Sequence, residues 1–374
     1  MKLFEYQVKD LFNTAGIAIP KSQLIHRVDQ ASEAFVQIGF PCVIKSQVLS
    51  GGRGKAGLIQ FVKNEGKGME EVTRLFALPQ KISSLLIEEA VDIAHEVYAS
   101  FTIDPLSGSA LSIVSAAGGV DIETLAIEQP HKILQTKIDM NLGLQAYQAN
   151  HIAYECGFDP ETAKKFTQLL LKLYRLFVQY DCELLEINPL FITKSNELVA
   201  GDGKCSIDDN SMFRHEDISI PLGDIENEAE RLAAEEGIPF IQFDGDISLM
   251  CAGAGLTTTV YDLVHYEGGT IANYLEFGGP HYKKAMKAME ICLKVPSKVI
   301  LIVTFGTIAR ADVMAQGIVE AISKLKPDRP IVTCIRGTNE VEAVETLRKA
   351  GLNPLFDTEE AVRLAVALAK ETKI

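Results

Sequence analysis

The stretch VIKSQVLSGGRGKAG, Val43 to Gly57, decides the first half of the fold. An apolar run from Pro41 to Val48 reads as a strand, and it enters a glycine-dense loop. A second strand-like run, Leu58 to Val62, follows. Strand, glycine loop, strand is a hairpin lid, whereas a P-loop would lead straight into a helix. Glycine N–H groups unobstructed by a Cβ, with Lys45 before them and Arg53 and Lys55 among them, make a phosphate cradle in chemical terms. Taken alone, the same residues serve equally as an exposed basic turn.

Upstream, Phe4, Val8, Leu11 and Phe12 share one helical face until Gly16 and Pro20 end the pattern, so residues 2–14 are expected to form a short amphipathic helix. Downstream, Phe166, Leu169, Leu170, Leu173, Leu176, Phe177 and Tyr180 recur at helical spacing and predict a long helix over 161–180. Two strands, Glu183 to Ile187 and Leu198 to Gly201, come next, joined by a turn at residues 194–197. Asn188 and Asp202 then end two neighbouring strands. Oxygen ligands so placed suit Mg²⁺, which takes few protein ligands and leaves the rest to phosphate and water. Asn and Asp also close strands for purely local reasons.

An acidic, alanine-rich segment at 224–237 reads as a surface helix and linker. From about Ile238 the rhythm becomes strand, glycine turn, helix, four times: Ile247–Cys251, Thr270–Glu276, Val299–Thr304 and Ile331–Cys334 each precede glycines and a helix. Such βα repeats predict a parallel, doubly wound sheet with ligands beyond the carboxyl ends of its strands. The expected domains are 1–230 and 238–374, in keeping with 374 residues at roughly 150 per domain.

A net charge of −14 argues against a nucleic-acid backbone as partner, so an anionic ligand needs a local site. No run of 18 apolar residues and no signal-peptide pattern is seen, which predicts a cytoplasmic chain. Seven cysteines without CxxC spacing read as reduced thiols. No histidine pair has zinc spacing, although His95 and His281 lie beside candidate ligand elements.

Together and in this order, LFEYQVKDLF, VIKSQVLSGGRGKAG, EINPL, DGK, MFRHED, GAGL and ANYLEFGG resemble the β subunit of succinyl-CoA synthetase over essentially the whole chain. The resemblance implies an α/β protein with an N-terminal ATP-grasp fold followed by a flavodoxin-like CoA-ligase domain. It places Lys45, Gly52, Arg53 and Gly54 on the phosphates of ATP, with Glu88, Val91 and Glu96 around the nucleotide. It makes Asn188 and Asp202 the Mg²⁺ ligands and Glu186 the carboxylate that meets a phosphohistidine on an α subunit, which also carries most of the CoA site. Pro20 resembles the ATP-using members of the family. The implied reaction phosphorylates the α histidine, passes phosphoryl to a small carboxylic acid and lets CoA displace phosphate, mainly by positioning and charge neutralisation.

The likeness breaks at the acid-binding end. Ala252 stands where the succinate enzymes carry Asn, Gly278-Gly279-Pro280 with His281 and Tyr282 replaces a run of three glycines, and Phe305-Gly306-Thr307-Ile308 replaces Phe-Gly-Gly-Ile, with Ala309 next. Ala252, His281, Thr307, Ile308 and Ala309 are therefore the expected acid-binding positions. The expected acid is another small anion, such as a hydroxy- or oxo-dicarboxylate, a sulfonated acid like sulfoacetate, or a bulkier acid. Succinate itself, a partner-independent ATP-grasp ligase and a non-catalytic nucleotide-binding subunit are the competing readings.

Overall fold

A computed structural model describes residues 1–49, 52–79, 82–119, 122–218, 225, 227–278 and 282–371. They form two compact units, Met1–Ile220 and Pro221–Ile374.

The first unit runs α1 (Glu5–Thr14), β1 (Ser22–Ile25), α2 (Ala31–Ile38), β2 (Cys42–Ser46), β3 (Ile59–Val62), α3 (Glu65–Phe76) and β4 (Leu85–Glu89). It continues with β5 (Ile93–Asp104), β6 (Ser109–Ser115), α4 (Ile122–Glu128), β7 (Leu134–Ile138), α5 (Ala146–Glu155), α6 (Pro160–Gln179), β8 (Cys182–Thr193), β9 (Leu198–Ala200) and β10 (Gly203–Ile207). Strands β1-β4-β2-β3 form one sheet, and β2 and β3 pair antiparallel with Lys45 opposite Ile59, the hairpin that the glycine loop predicts. Ala34, Phe35, Val72 and Leu75 of α2 and α3 cover this sheet's core.

The second sheet of the unit has the order β10-β8-β5-β6-β7, with β9 also on β8. Leu185 and Ile187 of β8 point into the core formed with Phe166, Leu170 and Phe177 of α6, so Glu186 and Asn188 lie on the opposite face. Asp159 caps α6 by accepting from the N–H groups of Glu161 and Thr162. The strand expected to stop at Ile187 runs on to Thr193, which puts Asn188 in mid-strand. Pro189 is tolerated because β8 changes neighbour there: Glu186 faces Lys204 of β10 and Leu190 faces Ala200 of β9.

The second unit contains α7 (Glu228–Glu236), β11 (Phe240–Gln242), β12 (Ile247–Ala252), α8 (Ala254–Tyr266), β13 (Ile271–Leu275), α9 (Ala285–Lys294) and β14 (Val299–Gly306). It ends with α10 (Ala311–Leu325), β15 (Ile331–Gly337), α11 (Glu340–Lys349) and α12 (Thr358–Glu371). The sheet order is β11-β13-β12-β14-β15, parallel except for the edge strand β11. Residues of α7, α9, α10 and α11 join one core cluster and those of α8 and α12 another, on opposite faces of the sheet. The segment read as a surface helix and linker supplies α7, and its Ala229 and Ala233 are buried in this unit.

Candidate functional site

In the first unit, α1 sits against β10 and α6, with Val8 and Phe12 in the core. The approach requires Gly203, because a Cβ there would lie 2.6 Å from Phe12 and 2.8 Å from Val8. The same face of α1 carries Glu5 and Lys9, both buried, and the close packing brings them beside Asp202.

Glu5, Lys9, Lys45, Arg53, Glu88 and Asp202 form one ionic cluster of three cations and three carboxylates. Lys45 Nζ lies 2.8 Å from Glu5 Oε1, 2.7 Å from Glu88 Oε2 and 2.6 Å from the Gly201 carbonyl, which occupies all three ammonium protons. Arg53 Nη1 meets Glu5 Oε2 at 2.6 Å and the Ser46 carbonyl at 3.1 Å, while Nη2 donates to both Asp202 oxygens at 2.8 and 2.7 Å. Lys9 lies 3.0 Å from Glu5 and also pairs with Glu88. Gln47 braces the cluster by donating to Glu5.

Burial opposes ionisation of Glu5, but Lys45, Lys9 and Arg53 together hold its carboxyl well below the usual range. Burial works against the charged forms of Lys45 and Arg53 as well, and the neighbouring carboxylates push both upward. Asp202 is pushed up by burial and by Glu5, against Arg53 and Lys45. Its two-oxygen contact with a guanidinium still requires the carboxylate form.

Lys45 and Arg53, read from sequence as cradle cations, are therefore buried members of a neutral cluster; Gly52 and Gly54 remain exposed. Glu88 belongs to the cluster. Val91 lies in the link between β4 and β5, which joins the two sheets. The carbonyl of Glu96 accepts from Gly118 N–H at 2.8 Å, and the next residue, Gly119, donates to Asn188 Oδ1 at 3.0 Å, so this turn ties Glu96 to Asn188. Asn188 N in turn donates to the Asp202 carbonyl at 3.3 Å.

Asn188 and Asp202 lie on adjoining backbone and carry oxygen donors of the kind that suits Mg²⁺ shared with phosphate and water, with Asp202 held by Arg53 and Asn188 Oδ1 by the Gly119 N–H. Among the described residues no group of three His, Cys, Asp or Glu is arranged to hold a metal. Glu186 shares the face of β8 with Asn188 and accepts from the Tyr98 hydroxyl at 3.1 Å. Burial raises the Glu186 carboxyl, the Tyr98 hydrogen bond opposing it. Glu5, Lys9 and Tyr98 were not anticipated. The signal for the first two is that they occupy helix positions i and i+4 on the same face as Val8 and Phe12.

In the second unit, Ala252 ends β12 and Thr307, Ile308 and Ala309 follow β14, its parallel neighbour. Gly278, after β13, packs so closely on Ala252 and Gly253 that a Cβ would fall 2.6 Å from the Gly253 nitrogen. The loop after β14 is tied to the loop after β15: Thr338 N donates to the Gly306 carbonyl at 2.8 Å and its hydroxyl to the Thr307 carbonyl at 3.0 Å. Thr307 and Ile308 are exposed, whereas Ala252, Ala309 and Tyr282 are half-buried against the same core cluster. His281 lies outside the described residues. Ala252, Thr307, Ile308 and Ala309 converge on the carboxyl ends of adjacent strands. Thr304, opposite Ala252, is fully buried, and among the described residues its hydroxyl finds no hydrogen-bond partner.

A sequence profile of the ATP-grasp domain matches residues 2–192, and one of the CoA-ligase domain matches residues 250–368. The ADP-forming sulfoacetate-CoA ligase subunit SqwK of Acholeplasma sp is 63% identical over 373 residues, spanning 100% of this chain and 93% of that protein. The subunit SauC of the same kind of ligase from Bilophila wadsworthia is 53% identical over 369 residues and 99% of each chain. The β subunit of succinate–CoA ligase [ADP-forming] from Ignicoccus hospitalis is 39% identical over 376 residues, 99% of this chain and 100% of that one.

The chain belongs to the succinyl-CoA synthetase β-subunit family. As a member of that family it is a subunit of an ADP-forming acid–CoA ligase, an enzyme that uses ATP and CoA and is built with a partner subunit. Its fold is an ATP-grasp domain followed by a flavodoxin-like CoA-ligase domain. The structure of ATP citrate lyase from Methanothrix soehngenii in complex with citrate and coenzyme A shares this fold, with a TM-score of 0.70, 18% identity and 99% coverage of both chains. Among the described residues no helix is long and apolar enough to cross a membrane.

Proposed function

We propose that this chain is the nucleotide-binding β subunit of a ligase that joins sulfoacetate to CoA at the expense of ATP. The acid rests on one observation above the rest: identities of 63% and 53% to two subunits of sulfoacetate-CoA ligases, against 39% to a succinate–CoA ligase. Ala252 and Thr307 support it at the carboxyl ends of β12 and β14. A tetrahedral sulfonate presents its oxygens differently from a planar carboxylate, so a changed set of donors is expected there.

ATP binds between the two sheets of the first unit, with Lys45, Gly52, Arg53 and Gly54 toward its phosphates and Glu88, Val91 and Glu96 around the nucleotide. Because Lys45 and Arg53 are engaged by carboxylates, phosphate capture proceeds by exchange of partners within a cluster that stays charge-balanced. Mg²⁺ held by Asn188 and Asp202 would neutralise phosphate charge. The α-subunit histidine takes the γ-phosphoryl group of ATP as ADP leaves, Glu186, steadied by Tyr98, meets it, and the free histidine is regenerated as phosphoryl passes to the acid carboxylate. The CoA thiol then displaces phosphate to leave the thioester. The reaction is cytoplasmic.

Transfer of the γ-phosphoryl group from radiolabelled ATP to the partner subunit tests the nucleotide half of this reading. Asn188→Ala and Asp202→Ala are expected to lower the rate at least about a hundredfold. Unchanged labelling in both would take Asn188 and Asp202 out of the metal site, and no labelling with the wild-type chain would leave the inert, nucleotide-binding reading standing.

A further inference from the structure

We propose that Glu5 is a positioning residue for catalysis, holding Lys45 and Arg53 in register at the nucleotide site. Among the described residues it is the one carboxylate within salt-bridge distance of all three buried cations: Lys9 at 3.0 Å, Lys45 at 2.8 Å and Arg53 at 2.6 Å. Glu88 reaches only Lys9 and Lys45, and Asp202 only Arg53.

Glu5 connects three elements through one side chain, adding to the ties that Lys45 makes to the Gly201 carbonyl and Arg53 makes to the Ser46 carbonyl. Lys45 stands on β2, Arg53 on the glycine loop beyond it, and Glu5 on a helix packed against the other sheet. The loop is pinned at Arg53 by a single side chain whose two ends hold Glu5 and Asp202. When Arg53 Nη2 turns from Asp202 toward a phosphate, Nη1 on Glu5 remains as its pivot. Lys45 likewise keeps Glu5 if it exchanges Glu88 or the Gly201 carbonyl. Gly203 makes the arrangement possible, since any side chain there would drive α1, and Glu5 with it, away from β10. A long charged side chain held in this way loses less conformational freedom when it meets its ligand, which appears as affinity for nucleotide.

This inference rests on the proposed nucleotide site, and the test separates the two. KM values for Mg-ATP, acid and CoA are measured on the complex with its partner subunit, alongside thermal unfolding. Glu5→Gln is expected to raise KM for Mg-ATP at least about tenfold while KM for CoA and for the acid stays within about twofold. Glu5→Asp, which keeps the charge but withdraws it by one methylene, preserves the fold if Glu5→Gln does not, and is expected to raise KM for Mg-ATP about threefold. Leu173→Ala, in the core of α6 away from the ions, lowers thermal stability without changing KM for Mg-ATP. If the Glu5 variants lose stability like Leu173→Ala and keep the wild-type KM for Mg-ATP, Glu5 is a structural residue and the proposal fails. If Lys45→Gln also leaves that KM unchanged, the nucleotide site itself is misplaced.

Discussion

Arg53 and Asp202, 149 residues apart in sequence, are joined through one nitrogen: Arg53 Nη2 lies 2.8 and 2.7 Å from the two Asp202 carboxylate oxygens. This contact ties the glycine loop of the first sheet to the turn between β9 and β10 of the second. Arg53 is only 9% exposed, and its removal takes from Asp202 the one cation within salt-bridge distance among the described residues and leaves Glu5 with Lys9 and Lys45. Arg53→Met is expected to destabilise the first unit by about 3 kcal/mol, measured by chemical denaturation. A loss below about 0.5 kcal/mol would place the pair among ordinary surface ion pairs.

Acid should loosen the same cluster. The folded Glu5 carboxyl titrates below its unfolded value, so its stabilisation is fully present above roughly pH 4.3 and is lost as pH falls through the depressed folded value. Thermal unfolding followed from pH 6 to pH 3 is expected to show a falling melting temperature, with a shallower fall in Glu5→Gln. Parallel slopes for the two proteins would remove Glu5 as a source of the acid sensitivity.

At Glu186 the sign is reversed. Burial raises its folded pKa, so ionisation costs folding free energy, and the cost grows as pH rises from the unfolded value to the raised folded one and is fully present above it. Glu186→Gln keeps an acceptor for the Tyr98 hydroxyl and is expected to raise the melting temperature at pH 7 more than at pH 4. It should also cut phosphoryl transfer to the partner at least about a hundredfold. Gain of stability with loss of turnover is the pattern of a residue kept for chemistry. Wild-type turnover in the variant would take Glu186 out of the mechanism.

The buried Thr304 hydroxyl gives an independent check on the second unit. Thr304→Val keeps the shape and removes an unpaired polar group, so it is expected to stabilise that unit by about 1 kcal/mol. Destabilisation of that size in equilibrium unfolding would reveal a partner for the hydroxyl.

Much of this architecture is legible in the sequence. The hairpin around Lys45 and the repeated strand, glycine and helix rhythm after Ile238 are local patterns, set by chain geometry within a few residues. The fate of Lys45 and Arg53 is different, because it depends on Glu5, Glu88 and Asp202, which are brought to them only by folding. Glu5 and Lys9 look like an exposed i, i+4 pair unless their position among Val8 and Phe12 is weighed. Along one strand, Asn188-Pro189 looks like an end after Ile187, because the neighbour that changes there, β9 for β10, is brought alongside only by folding. At the proposed acid-binding end, single residues such as Ala252 and Thr307 mark a departure from the family pattern without stating which anion they suit.

Reverting those residues should move the preference back. Ala252→Asn with Thr307→Gly is expected to shift the ratio of kcat/KM for sulfoacetate over succinate by at least about tenfold toward succinate, since one directed hydrogen bond contributes about that much. An unchanged ratio would locate selectivity elsewhere in the second unit.

The most direct measurement is ADP release by this chain co-purified with its partner subunit, with Mg-ATP and CoA, across sulfoacetate, succinate, malate, citrate, glutarate and itaconate. The account predicts the highest kcat/KM with sulfoacetate, with succinate well below it. The highest value with succinate would contradict the account and make Ala252 and Thr307 tolerated changes in an ordinary succinyl-CoA synthetase.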